Sequence, residues 1–242
     1  MYKIFGFYKF KKIKNIKLLK KNLKNFIEEE QVRGTIIISI EGINGTISFK
    51  PTKYKKVKNK ILNLLNIRKL DNENISYYKY QAFKKGKIKI KKEVVPIGMK
   101  LNKIVTKNKI EPKDWNKFIL KKETVLIDTR KNFEFKVGTF KGSINPELNN
   151  FRDFPRYFKT LKKNQNIGMF CTGGIRCEKA SAYLKKKGFK NVYQLKGGII
   201  NYLDNVKKKD SLWSGDCFVF DNRVSIKHGL KPVNLKICPG CR

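Results

Sequence analysis

The segment that most restricts the possible folds runs from residue 167 to 187. Ile167 to Phe170 is a short apolar run of the kind buried inside a sheet, and it passes without a spacer into Cys171-Thr172-Gly173-Gly174-Ile175-Arg176. Glu178 to Lys187 then reads as a helix. A loop that leaves the carboxyl end of a buried strand and opens a helix is the connection of a parallel α/β sheet, and it is a standard position for an anion or a reactive group. The neighbouring segments repeat the pattern. Thr124 to Ile127 is a second buried strand ending in Asp128-Thr129-Arg130, Phe151 to Leu161 can form a helix despite Pro155, and Asn191 to Leu195 is a third strand. Gly197-Gly198 then turns into another helix. Strands alternating with helices imply a parallel sheet covered on both faces.

The first half of the chain has a different rhythm. Tyr2 to Phe10 is an aromatic-rich strand, Ile16 to Glu29 carries Leu18, Leu19, Leu23 and Phe26 at helical spacing, and Gly34 to Ile40 is a β-branched strand. The turn Glu41-Gly42-Ile43-Asn44-Gly45 leads into Thr46 to Phe49, Lys53 to Leu65 reads as a helix, and Ile75 to Tyr80 as a strand. The order β-α-β-β-α-β predicts a ferredoxin-like α+β domain, an antiparallel sheet with two helices on one face. Lys84 to Lys109 is basic and strand-like in places (Ile88 to Ile90, Val94-Val95), with Pro96 and Pro112 as breakers, and reads as a connection. The expected fold is therefore α/β with a ferredoxin-like domain at 1–95, a linker at 96–112, a second domain with a central parallel sheet at 113–212, and a cysteine-containing tail at 213–242. A chain of 242 residues is long enough for two such cores.

The formal net charge of +38 makes a polyanion such as RNA a natural partner. The same excess, spread as Lys runs among many Ile and Asn, is also what an AT-rich coding sequence produces, so charge alone leaves a solvated lysine coat open as the alternative. No apolar run approaches the roughly 20 residues of a membrane helix, and the N-terminus has no signal-peptide layout. A cytoplasmic protein without a membrane partner is the expectation. Five cysteines, placed as Cys171, Cys177, Cys217, Cys238 and Cys241, do not form a secreted disulfide framework. Oligomeric state is left open.

Cys171 is the candidate nucleophile. Gly173 and Gly174 allow backbone N–H groups to turn toward it, and Arg176 supplies a permanent cation, so the thiolate is favoured over the thiol. Cys177 follows at the start of the helix, where its pKa is also expected to be low, and it either resolves an oxidised Cys171 or packs. Cys171, Arg176 and Cys177 are thus the catalytic candidates. Gly173 and Gly174 are carried as substrate-binding positions together with Asp128 and Arg130, which otherwise form a structural ion pair. His228 is the single histidine, so base chemistry falls to carboxylates, water or the thiolate. Cys238-Pro-Gly-Cys241 has zinc-knuckle spacing that Cys217 and His228 would complete to four ligands, against the alternative of a tail with exposed thiols.

Asp128-Thr129-Arg130, Gly138 to Pro146, the Cys171 loop and Leu195 to Ile199 together resemble a rhodanese domain. More narrowly, Cys171-Thr-Gly-Gly-Ile-Arg-Cys177-Glu-Lys-Ala-Ser-Ala182, with Glu41-Gly-Ile-Asn-Gly45 and Cys217-Phe-Val-Phe-Asp-Asn-Arg223, resembles the tRNA uridine(34) hydroxylase family. The resemblance implies an oxidoreductase that converts the wobble uridine of a tRNA anticodon loop to 5-hydroxyuridine, with molecular oxygen as co-substrate. A wobble base is unpaired and can be turned out of its stack at modest cost, and the lysine excess would hold tRNA phosphates. No flavin, haem or iron motif is visible, so no cofactor is expected beyond the zinc option. Loops one residue longer in related folds accommodate phosphate, whereas the six-residue loop Cys171 to Arg176 suits a bound sulfur. A sulfurtransferase carrying a persulfide on Cys171 is therefore the alternative enzyme, and a non-catalytic RNA-binding protein the alternative of another class.

Overall fold

A computed structural model describes residues 1–99, 104 and 108–235. The chain divides into two compact units, one formed by Met1–Val94 with Phe220–Arg223 and one by Val95–Val219 with the residues from Val224 onward.

In the first unit β1 (Tyr2–Phe10), α1 (Ile16–Glu29), β2 (Arg33–Ser39), β3 (Gly42–Phe49), α2 (Tyr54–Leu65) and β4 (Asn72–Tyr78) follow the ferredoxin-like order, joined by β5 (Gly86–Ile90). The sheet runs β4-β1-β3-β2-β5, antiparallel except for β5, which lies parallel to β2. α1 starts where Asn15 accepts the Leu18 N–H at 3.0 Å, and α2 stops at Asn66, whose left-handed φ of 49° lets it close the last turn. Leu19, Leu23 and Phe26 of α1 and Val57 and Ile61 of α2 pack on Phe5, Phe7, Ile36, Ile38 and Ile47, one face of the sheet. β5 corrects the expectation that this stretch only connects domains. Ile88 reaches the core beside Ile36 while Lys87 and Lys89 stay exposed, which is the alternation of an edge strand with lysine on its open side.

The second unit opens with β6 (Lys109–Ile110) and α3 (Pro112–Ile119). Pro112, expected to break structure, instead begins α3, because a first-turn residue needs no N–H partner and its φ is preset. β7 (Thr124–Asp128), α4 (Asn132–Val137) and β8 (Gly138–Phe140) follow. Phe151–Asp153, α5 (Phe154–Tyr157) and Phe158–Thr160 are three short turns where one helix was expected. Then come β9 (Asn166–Phe170), α6 (Ile175–Lys186), β10 (Val192–Leu195) and α7 (Gly198–Asn205). The sheet is fully parallel in the order β6-β10-β9-β7.

The described residues from 213 onward, apart from Phe220–Arg223, belong to this unit. β11 (Trp213–Gly215) pairs antiparallel with β8, and β12 (Cys217–Phe218), β13 (Ser225–Lys227) and β14 (Lys231–Pro232) form a small sheet. Trp213, Cys217, Val219, Ile226 and Leu230 complete a core around Phe140, whose ring centroid lies 4.7–5.1 Å from those of Phe170, Tyr202 and Trp213 in edge-on contacts. The sequence marks 213–242 only as a cysteine-containing tail, because apolar residues spaced along short strands carry little periodic signal.

Candidate active site

β9 delivers Cys171 to the carboxyl edge of the parallel sheet, and the chain turns there through Gly174, whose φ of 93° is open to glycine at little strain. Gly174 donates its backbone N–H to the Cys171 sulfur at 3.1 Å. The back of the loop rests on the Gly197-Gly198 turn: Ile199 and Ile200 donate backbone N–H groups to the carbonyls of Cys171 and Thr172 at 3.0 and 3.1 Å. Gly198 has φ +70°, and a Cβ there would sit 2.4 Å from the Cys171 carbonyl oxygen and 2.7 Å from the Gly174 nitrogen. Gly198→Ala is therefore expected to lower stability by about 1–3 kcal/mol and to slow the chemistry, because only movement of the cysteine loop can relieve the clash. A thermal melt and turnover of the same preparation check both parts.

Arg176 lies on the first turn of α6 and its guanidinium faces α4. It donates from Nη1 to Glu134 Oε2 at 2.7 Å and from Nη2 to Glu134 Oε1 at 2.9 Å, and Nη2 also reaches Thr172 Oγ1 at 3.1 Å. Thr172 donates its hydroxyl to Glu134 Oε1 at 3.3 Å. Glu134 is fully buried, and it closes its own helix by accepting the Lys131 N–H at 3.1 Å. Burial alone would raise its pKa, but the Arg176 guanidinium pulls it below the ordinary carboxylate value. This two-point, charge-assisted contact fixes the cation beside the cysteine loop. Sequence reading missed Glu134. Its only trace is a carboxylate three residues after Lys131, the spacing at which a first-turn side chain returns to the amide that starts its helix.

Cys171 and Cys177 are both buried among Ile127, Leu148, Phe151 and Phe154. For Cys171 burial works against ionisation, yet the Cys177 thiol, the Arg176 charge and the Cys177 and Arg176 backbone amides outweigh it and bring the pKa down to about 6. Cys177 behaves oppositely to expectation. Burial and the adjoining Cys171 anion hold its pKa well above the usual thiol value, so it remains protonated and serves as a hydrogen-bond donor. The helix start that would have lowered it is outweighed by desolvation and a neighbouring negative charge. Its sulfur also lies 3.5 Å from Thr129 Oγ1, whose own hydroxyl is given to the Phe170 carbonyl at 3.0 Å. Alkylation of Cys171 by iodoacetamide should rise with a midpoint near pH 6, and Cys177→Ala should move that midpoint upward by about one unit, as removal of one hydrogen bond to an anion requires.

Asp128 and Arg130 are each 1% exposed and form an ion pair with one another, the structural arrangement that the sequence also allowed. Arg130 Nε donates to Asp128 Oδ1 at 2.9 Å and Nη2 to Oδ2 at 2.6 Å, Nη2 also meets the Gly138 carbonyl, and the guanidinium lies 5.2 Å from the Trp213 ring. The pair ties the end of β7 to β8 and β11. Gly173 is half-buried on the loop. Cys217 is buried under the same layer, and burial pushes its thiol up to about 12. His228 sits in a short turn with its Nε2 buried and without a hydrogen-bond partner among the described residues, and burial lowers its pKa. Among the described residues no cluster of three or more His, Cys, Asp or Glu could hold a metal ion, while Cys238 and Cys241 lie outside them. No helix among the described residues is long and apolar enough to cross a membrane.

Residues 2–94 match the UPF0176 acylphosphatase-like domain and residues 111–205 the rhodanese-like domain. Three relatives named tRNA uridine(34) hydroxylase align over nearly the whole chain. That of Pelagibacter ubique is 58% identical over all of this chain and 81% of its own length. That of Prochlorococcus marinus is 43% identical over 99% of this chain and 81% of its own, and that of Teredinibacter turnerae 39% identical over all of this chain and 76% of its own. Two matched domains in one order, with this identity across both, identify the chain as a member of the tRNA uridine(34) hydroxylase family.

Proposed function

We propose that this protein hydroxylates uridine 34 of tRNA at C5, giving 5-hydroxyuridine, with molecular oxygen as co-substrate. The observation that carries the reading is a buried Cys171 whose pKa is brought down to about 6, in a chain 58% identical over its whole length to a relative of that name. A uracil ring is electron-poor at C6. Attack there by the Cys171 thiolate would form an S–C6 bond and move the C5–C6 electron pair onto C5 and O4, so that C5 takes up O2. An external two-electron donor such as a dithiol would reduce the second oxygen atom to water, and loss of the C5 proton with cleavage of the S–C6 bond would restore the double bond and the thiolate. The site's own contribution is to keep the sulfur anionic at neutral pH, to hold Arg176 close through Glu134, and to retain Cys177 as a thiol that donates to the anion.

The six-residue loop also suits a persulfide, so the test separates the two chemistries. Nucleoside mass spectrometry of tRNA incubated with the purified protein and oxygen should show 5-hydroxyuridine dependent on Cys171. A protein that instead accepts sulfur from thiosulfate and passes it to cyanide, with unchanged uridine 34, would be a sulfurtransferase.

A further inference from the structure

The sheet of the first unit has one face under α1 and α2 and another that neither helix covers. Register fixes what lies on it. Phe5, Phe7, Ile36 and Ile47 point into the core, so the alternating residues Gly6, Thr35 and Thr46 point the other way. Gly6 pairs with Asn74 on one side and Thr46 on the other, Thr46 pairs with Thr35, and Thr35 with Lys87. One rung of five strands is therefore Asn74, Gly6, Thr46, Thr35, Lys87. Thr46 and Lys87 are exposed and the other three half-exposed. The rung through Ile4, Ser48 and Ser76 is closed instead, with Arg223 Nη1 donating to Ser76 Oγ at 2.8 Å.

The open rung has hydroxyls, an amide and a bare glycine backbone, no acidic and no apolar side chain. It ends on an edge strand set in a basic run, Lys84 to Lys92, in which six exposed lysines occur without an Asp or Glu. A protein partner would need apolar area that this rung lacks. A ribose–phosphate backbone fits on both counts: Lys87 and Lys89 take phosphates, and the threonine hydroxyls and asparagine amide take 2′-hydroxyls and phosphate oxygens. With no exposed ring on the rung for base stacking, contact is with the backbone and is independent of sequence.

We propose that this open sheet face, with its lysine edge, is a docking surface for the sugar–phosphate backbone of tRNA. It rests on the tRNA reading above for the identity of the partner, and goes beyond it in naming where the RNA lies. Because lysines are spread over the whole chain, the test must separate this face from bulk charge. Equilibrium binding of a tRNA transcript is measured across a salt series for the wild type and three variants, each with a thermal melt. Lys87→Glu with Lys89→Glu should weaken binding at least about tenfold and flatten the log–log salt slope by about two, as loss of two phosphate contacts requires. Thr46→Glu, which touches no lysine and sits at the centre of the rung, should weaken it at least about fivefold, because it sets a carboxylate against phosphate. Lys20→Glu with Lys21→Glu on the exposed side of α1 makes the same charge change elsewhere and should cost less than about threefold. Wild-type affinity in either face variant, or equal losses in the α1 control, overturns the docking surface. If the face variants weaken tRNA binding while the wild type forms no 5-hydroxyuridine, the docking surface stands and the hydroxylase reading falls.

Discussion

Cys171→Ser should leave the protein folded and reduce 5-hydroxyuridine formation to the uncatalysed background, a loss of at least about a thousandfold by analogy with removal of other catalytic nucleophiles. Oxygen for sulfur is close to isosteric in a core that otherwise keeps Ile127, Leu148, Phe151 and Phe154, so the fold has little to lose. The chemistry has everything to lose. A serine hydroxyl does not ionise near neutral pH under the influence that brings this thiol to about 6, and it is a far poorer nucleophile toward a conjugated ring. The same pKa sets the acid limb of the rate. Activity should fall as pH drops through about 6, because the folded protein then protonates Cys171 and quenches the anion. Nucleoside mass spectrometry on tRNA treated with either protein, together with matching melting temperatures, decides the result. Full product from the serine variant would remove the thiolate from the mechanism.

What could be read from sequence divides along a physical line. The strand, the glycine turn and the helix around Cys171 are contiguous, so their geometry is set by neighbouring residues and was legible. The β-α-β-β-α-β order was legible for the same reason, since each element carries its own period. β5 was not, because Gly86-Lys87-Ile88-Lys89-Ile90, exposed at every position but Ile88, looks like any charged stretch until β2 is beside it. Pro112 was misread because proline is a breaker in a helix interior and a starter at its first turn, and only the boundary tells them apart. Cys177 illustrates the electrostatic form of this limit. A helix N-terminus lowers a thiol pKa by itself, but full burial and an ionised neighbour, both consequences of tertiary packing, reverse the sign. Glu134 is the most consequential omission: 42 residues separate it from Arg176, and nothing local marks it as the partner.

That partnership yields the second large effect. Arg176 and Glu134 meet through two short hydrogen bonds, with the carboxylate fully buried and the arginine side chain 14% exposed. Glu134→Gln keeps shape and removes charge, leaving a nearly buried guanidinium without its counter-ion, and should lower stability by about 3–5 kcal/mol. The sign with pH follows from the direction of the shift. Glu134 has its folded-state pKa depressed, so its stabilisation is present at neutral pH and is lost as pH falls through that depressed value, and the glutamine variant should lack this acid-sensitive part of the melting curve. Arg176→Lys is the complementary test. It keeps the charge and the carboxylate's counter-ion, but an ammonium cannot hold both Glu134 oxygens and Thr172 Oγ1 in one plane. The lysine variant should therefore melt nearer the wild type than the glutamine variant does, yet lose at least about tenfold in turnover with tRNA, with the Cys171 alkylation midpoint moved upward as the fixed cation is replaced by a mobile one. Steady-state kinetics, the alkylation profile and a melt on each variant separate the roles. Wild-type turnover and an unmoved midpoint for Arg176→Lys at unchanged stability would mean that the backbone amides of the loop alone sustain the thiolate, and that the Glu134–Arg176 pair holds α4 to α6 and nothing more.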